Sequence, residues 1–287
     1  MSDDYQLVRL PNGKPTLFSA RFGEKMHPGL GPQAEAEVLY VEQLQICERL
    51  RASNESFVIW DVGLGAAANA TAALRAAREI IGQLRLISFD DSSAPLEFAL
   101  NQAAALDYLA GYEVPLTELL RHRLVSFIDG KLTVNWEFHF GDFPALMQAV
   151  RRGEVKMEAP HAVFYDAFSP AKNPAMWTLP IFEDLFQSLD PQRPCSLTTY
   201  SRSTLVRATL LLAGFWVGTG PATGLKEETT IAANRPELIT QLLDQRWLLR
   251  AERSDSAEPL RDPVYTRAPL SASTLNQLRA LRQFASA

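Results

Sequence analysis

Three short apolar runs in this chain each finish on an acid: FVIWD at 57–61, RLISFD at 85–90 and HAVFYD at 161–166. A strand covered on both faces reads as a continuous apolar run, whereas a strand with one wet face alternates. Between these runs lie stretches with helical spacing, among them NATAALRAAREIIGQL and APLEFALNQAAALDYLAG. Short strands alternating with amphipathic helices predict an α/β fold, a mostly parallel sheet with helices on both faces. Such sheets bind ligands beyond the carboxyl ends of their strands. Asp61, Asp90 and Asp166 fall at those ends.

The remaining segments fit around this core. Residues 1–32 are rich in Pro and Gly, with short extended pieces at YQLVRL and TLFSARF. Residues 33–53 read as one helix leading into the main domain. Asp129-Gly130 marks a hairpin between RLVSF and KLTVNWEFHF, and FPALMQAVRRG is a short helix. PAMWTLPIFEDLFQSL reads as a helix with Pro at its start. FWVGTG and KEETTIAAN read as a terminal antiparallel pair. After Asn234 the alternation fades into one helix over 235–254, a loop, and a terminal helix opened by a Ser cap. The expected organisation is an extension at 1–50, a main domain at 51–234 and a helical tail at 235–287.

Composition excludes several classes. No run approaches the roughly 20 apolar residues that cross a bilayer, and the N-terminus lacks a basic start followed by an apolar block. Two distant cysteines, Cys47 and Cys195, read as reduced thiols of a cytoplasmic protein. Four scattered histidines show no metal-ligand spacing, so no metal is expected. A net charge of −5 lacks the basic excess of a large nucleic-acid footprint. Basic clusters do occur, at Arg121/Arg123, Arg151/Arg152/Lys156 and Arg246/Arg250/Arg253. Each reads as a solvated face or as a nucleic-acid contact.

The first acid opens DVGLGAAANA, in which Gly63-Leu-Gly65 satisfies a loose dinucleotide fingerprint. Asp61 argues against a pyrophosphate, which a carboxylate repels, and favours a ligand with an ammonium group. S-adenosylmethionine carries an amino-acid tail, a ribose and a sulfonium, and no phosphate. Asp90 lies where a carboxylate accepts both ribose hydroxyls, or it caps the helix near Pro95. Asp142, in FGDF, either receives the adenine amino group or caps the helix at Pro144.

DVGLGAAANA, LISFD, FGDF, VFYDAFSPAKNPAMW and TYSRSTLVRATLLLAGFWVGTGPATGLKEE stand in the order of a known family. The chain resembles the MnmC-type methyltransferases, which act on 5-aminomethyl-uridine at the tRNA wobble position. The resemblance spans roughly residues 7–232, and DAFSPAKNPAMW is its most specific part. It implies a Rossmann-like class I methyltransferase with a seven-stranded sheet, using S-adenosylmethionine. Without the oxidase domain fused in some members, no flavin is expected. By position, Asp61, Gly63, Gly65 and Asn69 would form the cofactor loop, with Asp90 on the ribose and Asp142 on the adenine. Asp166 would be the acid that orients the substrate amine. Phe168, Pro170, Asn173 and Trp177 would shape the acceptor pocket, with core packing as the alternative for the two aromatics.

The chain also departs from the family. Ala67 stands in place of the third glycine, and Asp61 where Glu is common. Leu225 and Glu227 stand where basic residues are expected, which lowers the expected affinity for tRNA. His27, in the divergent stretch GEKMHPGLGP, either lines the acceptor entrance or is merely solvated. The competing functions are therefore transfer to another RNA or a small molecule, a non-catalytic binding module, and an NAD-dependent dehydrogenase. Asp61 and the lack of a His/Lys pair oppose the last.

Overall fold

The computed structural model describes residues 4–223 and 227–285. The chain forms two compact units. The first holds residues 1–143, 160–166 and 221–227; the second holds 144–159, 167–220 and 228–287.

The first unit opens on a three-stranded antiparallel sheet, β1 (Tyr5–Arg9), β2 (Pro15–Ser19) and β3 (Glu24–Lys25). A helical segment follows, α1 (Pro32–Ala36) and α2 (Ile46–Ala52), where one continuous helix was expected. Residues Glu37–Glu42 between them form a π-helical turn, and Gln45 takes a left-handed backbone at φ 52°. The cause is packing. Leu39, Tyr40 and Val41 are all buried, and three adjacent residues cannot share one stripe of a regular α-helix.

The parallel core of this unit is β4 (Phe57–Val62), β5 (Gly82–Asp90), β7 (Leu132–Phe140) and β8 (Ala162–Tyr165), in the order β8-β4-β5-β7. Every residue of β4 and β8 is buried, so both faces are covered, as the unbroken apolar runs require. β6 (Leu124–Asp129) pairs antiparallel with β7 at the edge. Among the described residues the core strands number eight, five here and three in the second unit, one more than expected. α3 (Ala68–Ala77) crosses from β4 to β5 and is shorter than its Ala-rich pattern suggests. α4 (Ala94–Asn101) also stops early, and an unforeseen helix, α5 (Glu113–His122), follows two 3₁₀ turns. Pro115 lies in the first turn of α5, where a missing N–H breaks nothing.

In the second unit β9 (Ser196–Thr199) pairs antiparallel with β11 (Thr229–Ala233), which pairs antiparallel with β10 (Trp216–Gly220). Most of α6 (Phe143–Arg151) and all of α7 (Leu179–Gln187) and α8 (Thr204–Leu212) belong here. α7 starts later than expected. Pro174–Trp177 make a separate 3₁₀ turn, and Thr178 is extended beside Leu260. Residues 235–254 are not one helix either. The chain around Leu242 runs against β10, with Thr219 N donating to Gln241 O at 3.0 Å and Leu243 N to Val217 O at 2.9 Å. Only Gln245–Glu252 are helical (α9), capped by Asp244, which accepts from Trp247 N. The terminal helix α10 (Ala272–Arg279) is capped by Ser271, as its sequence foretells.

One turn fixes the β6–β7 hairpin. Gly130 lies at φ +61°, and a Cβ there would stand 2.3 Å from the Arg78 carbonyl oxygen, which accepts from Lys131 N at 2.7 Å. Gly130→Ala is expected to cost about 2–4 kcal/mol, seen as a lower urea midpoint at unchanged slope. Gly13→Ala, at φ +80° with nothing within 4 Å, is expected to cost about 1 kcal/mol. Equal losses would remove the steric argument.

Candidate active site

The expected acids do gather, within the first unit. Strand pairing sets Asp61 opposite Ser88 on β5 and opposite Phe164 on β8. Asp61 is fully buried, and its Oδ2 accepts from Ser88 Oγ at 2.8 Å. Ser88 Oγ in turn accepts from Trp136 Nε1 at 2.9 Å. Asp61 Oδ1 has no partner among the described residues. Burial chiefly, with a contribution from Asp166 and Asp90, pushes the Asp61 carboxyl up to about 8.

Ser88 and Trp136 were not anticipated. Their signal is register: Ser88 faces Asp61 across the pair, and Trp136 lies two residues before Phe138, which is opposite Ser88.

The glycine loop is built on β5. Gly63 N and Leu64 N both donate to Phe89 O, at 2.9 and 3.1 Å, and Gly65 N donates to Asp90 Oδ2 at 2.8 Å. Gly63 and Gly65 have φ of 95° and 51°, the region that glycine enters freely. Ala67, where the family has its third glycine, is also left-handed at φ 61° and precedes α3. With these three amides engaged, the loop offers none of them to a phosphate.

Asp90 is half-buried and does not cap α4, whose N-cap is Ser93. Its Oδ1 accepts from Ser92 N at 3.0 Å. Burial, the leading cause, pushes its carboxyl up to about 6. Gly141 N donates to Asp90 O at 2.9 Å, which ties the end of β7 to the same place and leaves Asp142 exposed beside it.

Asp166 follows β8, its backbone N donating to Val62 O at 2.9 Å. Asn69, expected in the cofactor loop, donates from Nδ2 to Asp166 Oδ2 at 2.8 Å. Asn69 Oδ1 is buried without a partner among the described residues. His27 Nε2 lies 3.7 Å from the same Asp166 oxygen. No Lys or Arg pairs with Asp61, Asp90 or Asp166 among the described residues. Two orphaned acceptors among acids that lack a Lys or Arg partner suit a cationic ligand, as the ammonium and sulfonium of S-adenosylmethionine require.

Phe168, Pro170, Asn173 and Trp177 lie in the second unit. Their loop is held by its own carbonyls. Tyr200 Oη donates to Ala167 O at 2.9 Å, and Trp177 Nε1 to Phe168 O at 2.7 Å. Ser169 O accepts from the backbones of Lys172 and Asn173, both at 2.8 Å. Trp177 has no exposed surface and meets Tyr200 edge-on at 6.2 Å, so it packs and pins Phe168 rather than walling a pocket. Phe168, Pro170 and Asn173 are half-buried. Of the departing motif GLKEE, residues 224–226 lie outside the described residues. Glu228 engages the buried Arg207 at 2.9 Å.

Comparison with known proteins agrees with this geometry. Residues 116–235 match the model of a family described as S-adenosyl-L-methionine-dependent methyltransferase. The tRNA 5-methylaminomethyl-2-thiouridine biosynthesis bifunctional protein MnmC of Aeromonas hydrophila is 28% identical over 255 residues, 82% of this chain and 36% of that protein. Its Ralstonia nicotianae counterpart is 31% identical over 236 residues, 78% of this chain and 33% of that protein. The chain thus spans about a third of the length of these curated relatives. The crystal structure of MnmC2 from Aquifex aeolicus superposes with a TM-score of 0.71 at 25% identity, covering 97% of this chain and 85% of that one.

A parallel α/β core with its glycine turn among acidic strand ends, matched by that family model, defines an S-adenosyl-L-methionine-dependent methyltransferase with the class I, Rossmann-like fold. Within that class the chain is similar in sequence and fold to MnmC-type proteins such as those just named. Among the described residues no cluster suits a metal and no helix is long and apolar enough to cross a membrane.

The raised Asp61 carboxyl makes a pH prediction. The folded value, about 8, exceeds the reference of 3.8, so the folded state holds a proton that the unfolded state has released. The contribution of Asp61 to stability is therefore complete below about pH 4 and is lost as pH rises to about 8. Asp61→Asn should gain stability over the unaltered protein progressively across that window, read from denaturant melts at several pH values. A constant difference would mean that Asp61 is not desolvated. S-adenosylmethionine should oppose the loss, and its binding near pH 7 should release protons.

Proposed function

We propose that this methyltransferase N-methylates a primary amine, that of 5-aminomethyl-uridine at the tRNA wobble position, in the cytoplasm. The observation that carries the reading is the Asp166 carboxylate, fixed by Asn69 through Oδ2, with Oδ1 carrying no hydrogen bond among the described residues. A carboxylate so placed accepts an N–H of the amine and directs its lone pair. When bound, S-adenosylmethionine supplies a methyl group on a cationic sulfur. Asp90 holds the ribose and Asp142 the adenine, while Gly63 and Gly65 let the backbone turn beside the ligand. Asp61, with no exposed atom, contributes from beneath the loop by giving up its proton as the cationic donor arrives. Alignment supplies most of the acceleration.

Trp177 positions Phe168 through its carbonyl. In this reading residues 51–234 carry the transfer, with 1–50 an extension and 235–287 a tail. The relatives' names support tRNA as acceptor. The net charge of −5 favours a second reading, a small amine acceptor on the same site.

Methylation of hypomodified tRNA, run beside the free nucleoside, separates the two. Transfer to the nucleoside alone would remove tRNA. Asp166→Ala should keep cofactor affinity and lose transfer; undiminished turnover would take Asp166 out of the mechanism. Asp90→Ala should weaken cofactor binding by about 1–3 kcal/mol in calorimetry, and unchanged affinity would reduce Asp90 to a brace for Gly65.

A further inference from the structure

His27 has a backbone that the fold holds in place against its preference. Its φ is +51°, a region non-glycine residues enter at a cost of about 1–2 kcal/mol. Both flanks are tied down. Met26 N donates to Leu17 O at 2.8 Å, and Met26 O accepts from Thr16 Oγ1. After His27, a single buried carboxylate gathers the chain: Glu35 Oε1 accepts from Gly29 N at 2.5 Å, Leu30 N at 2.8 Å and Gly31 N at 3.4 Å. Pro28 and Pro32 stiffen the same turn. Strain held by dense local bonding is the usual mark of a position with a task.

What the strain achieves is placement. The His27 side chain is 12% exposed, and its Nε2 stands 3.7 Å from Asp166 Oδ2. That is too long for a hydrogen bond, yet short enough for an imidazolium to be held by the carboxylate. All of these residues lie in the first unit.

We infer that His27 is the proton acceptor for the substrate amine, paired with Asp166. This rests on the proposed amine-methylating reaction. An aminomethyl group arrives largely as an ammonium, which has no lone pair to attack with. Neutral His27 takes one proton at Nε2, leaving the amine neutral and hydrogen-bonded to Asp166. The nitrogen lone pair then forms the bond to the methyl carbon as the carbon–sulfur bond breaks, its electron pair returning to sulfur. The product leaves as a secondary ammonium with S-adenosylhomocysteine, and the imidazolium returns its proton to water. Asp166 stabilises that imidazolium in the interval. A general base works best when it can both take and return a proton at neutral pH, which is the usual role of an imidazole.

The test uses the full chain, S-adenosylmethionine and hypomodified tRNA. His27→Asn keeps a side chain that tolerates the left-handed backbone but cannot take the proton. Its single-turnover rate should fall about 100-fold or more, with tRNA KM and cofactor Kd within about twofold of the unaltered protein. His27→Gly, also at ease at positive φ, should recover part of its rate on adding imidazole. A His27→Asn rate equal to that of the unaltered protein overturns the inference. So does a rate loss matched by loss of cofactor affinity, which would make His27 structural. Failure of the unaltered protein to methylate the tRNA overturns the acceptor reading first, and this inference with it.

Discussion

The structure depends on a burial that is electrostatically unfavourable in isolation. Asp61 lies in the middle of the parallel core, fully covered, with one oxygen satisfied by Ser88 and the other without a partner among the described residues. The parallel register places it there, because β4 runs between β5 and β8 and all three end at the same level. Asp90 and Asp166 are consequences of the same alignment. Leaving a buried acceptor unmade costs on the order of 1–3 kcal/mol, and like charges add to it. A cationic ligand removes both penalties together. In the proposed site, affinity for the methyl donor is thus in part relief of that electrostatic cost.

Much of this was legible in the sequence where one residue type has one physical reading. Unbroken apolar runs meant strands covered on both faces, and β4 and β8 are buried throughout. Ser271 before ASTLNQLR meant a cap, and it accepts from Thr274 N. What escaped was set by contacts between distant positions. The π turn at 37–42 follows from three neighbouring side chains all finding cover. Residues 239–243 leave the helical state because Gly218, which has no side chain, lets that stretch lie against β10. Asn69 belongs by spacing to the glycine loop, yet its amide is spent on an acid almost a hundred positions later.

The aromatic loop after Asp166 shows the same difference between composition and placement. Its prolines and Trp177 suggested a binding wall. The structure instead uses Trp177 as an anchor whose indole N–H fixes the Phe168 carbonyl. Rigidity in the segment therefore comes from hydrogen bonds to its own carbonyls, from Trp177, Tyr200 and the turn at Ser169.

The amides of the glycine turn carry a last consequence. Gly63 and Leu64 both give their N–H to Phe89, and Gly65 gives its own to Asp90. A cell holds adenine nucleotides in far greater supply than any sulfonium donor. These three amides are spent inside the protein, so none of the three is offered to the phosphates of ATP or NAD, and that part of the discrimination lies in the main chain rather than in any side chain.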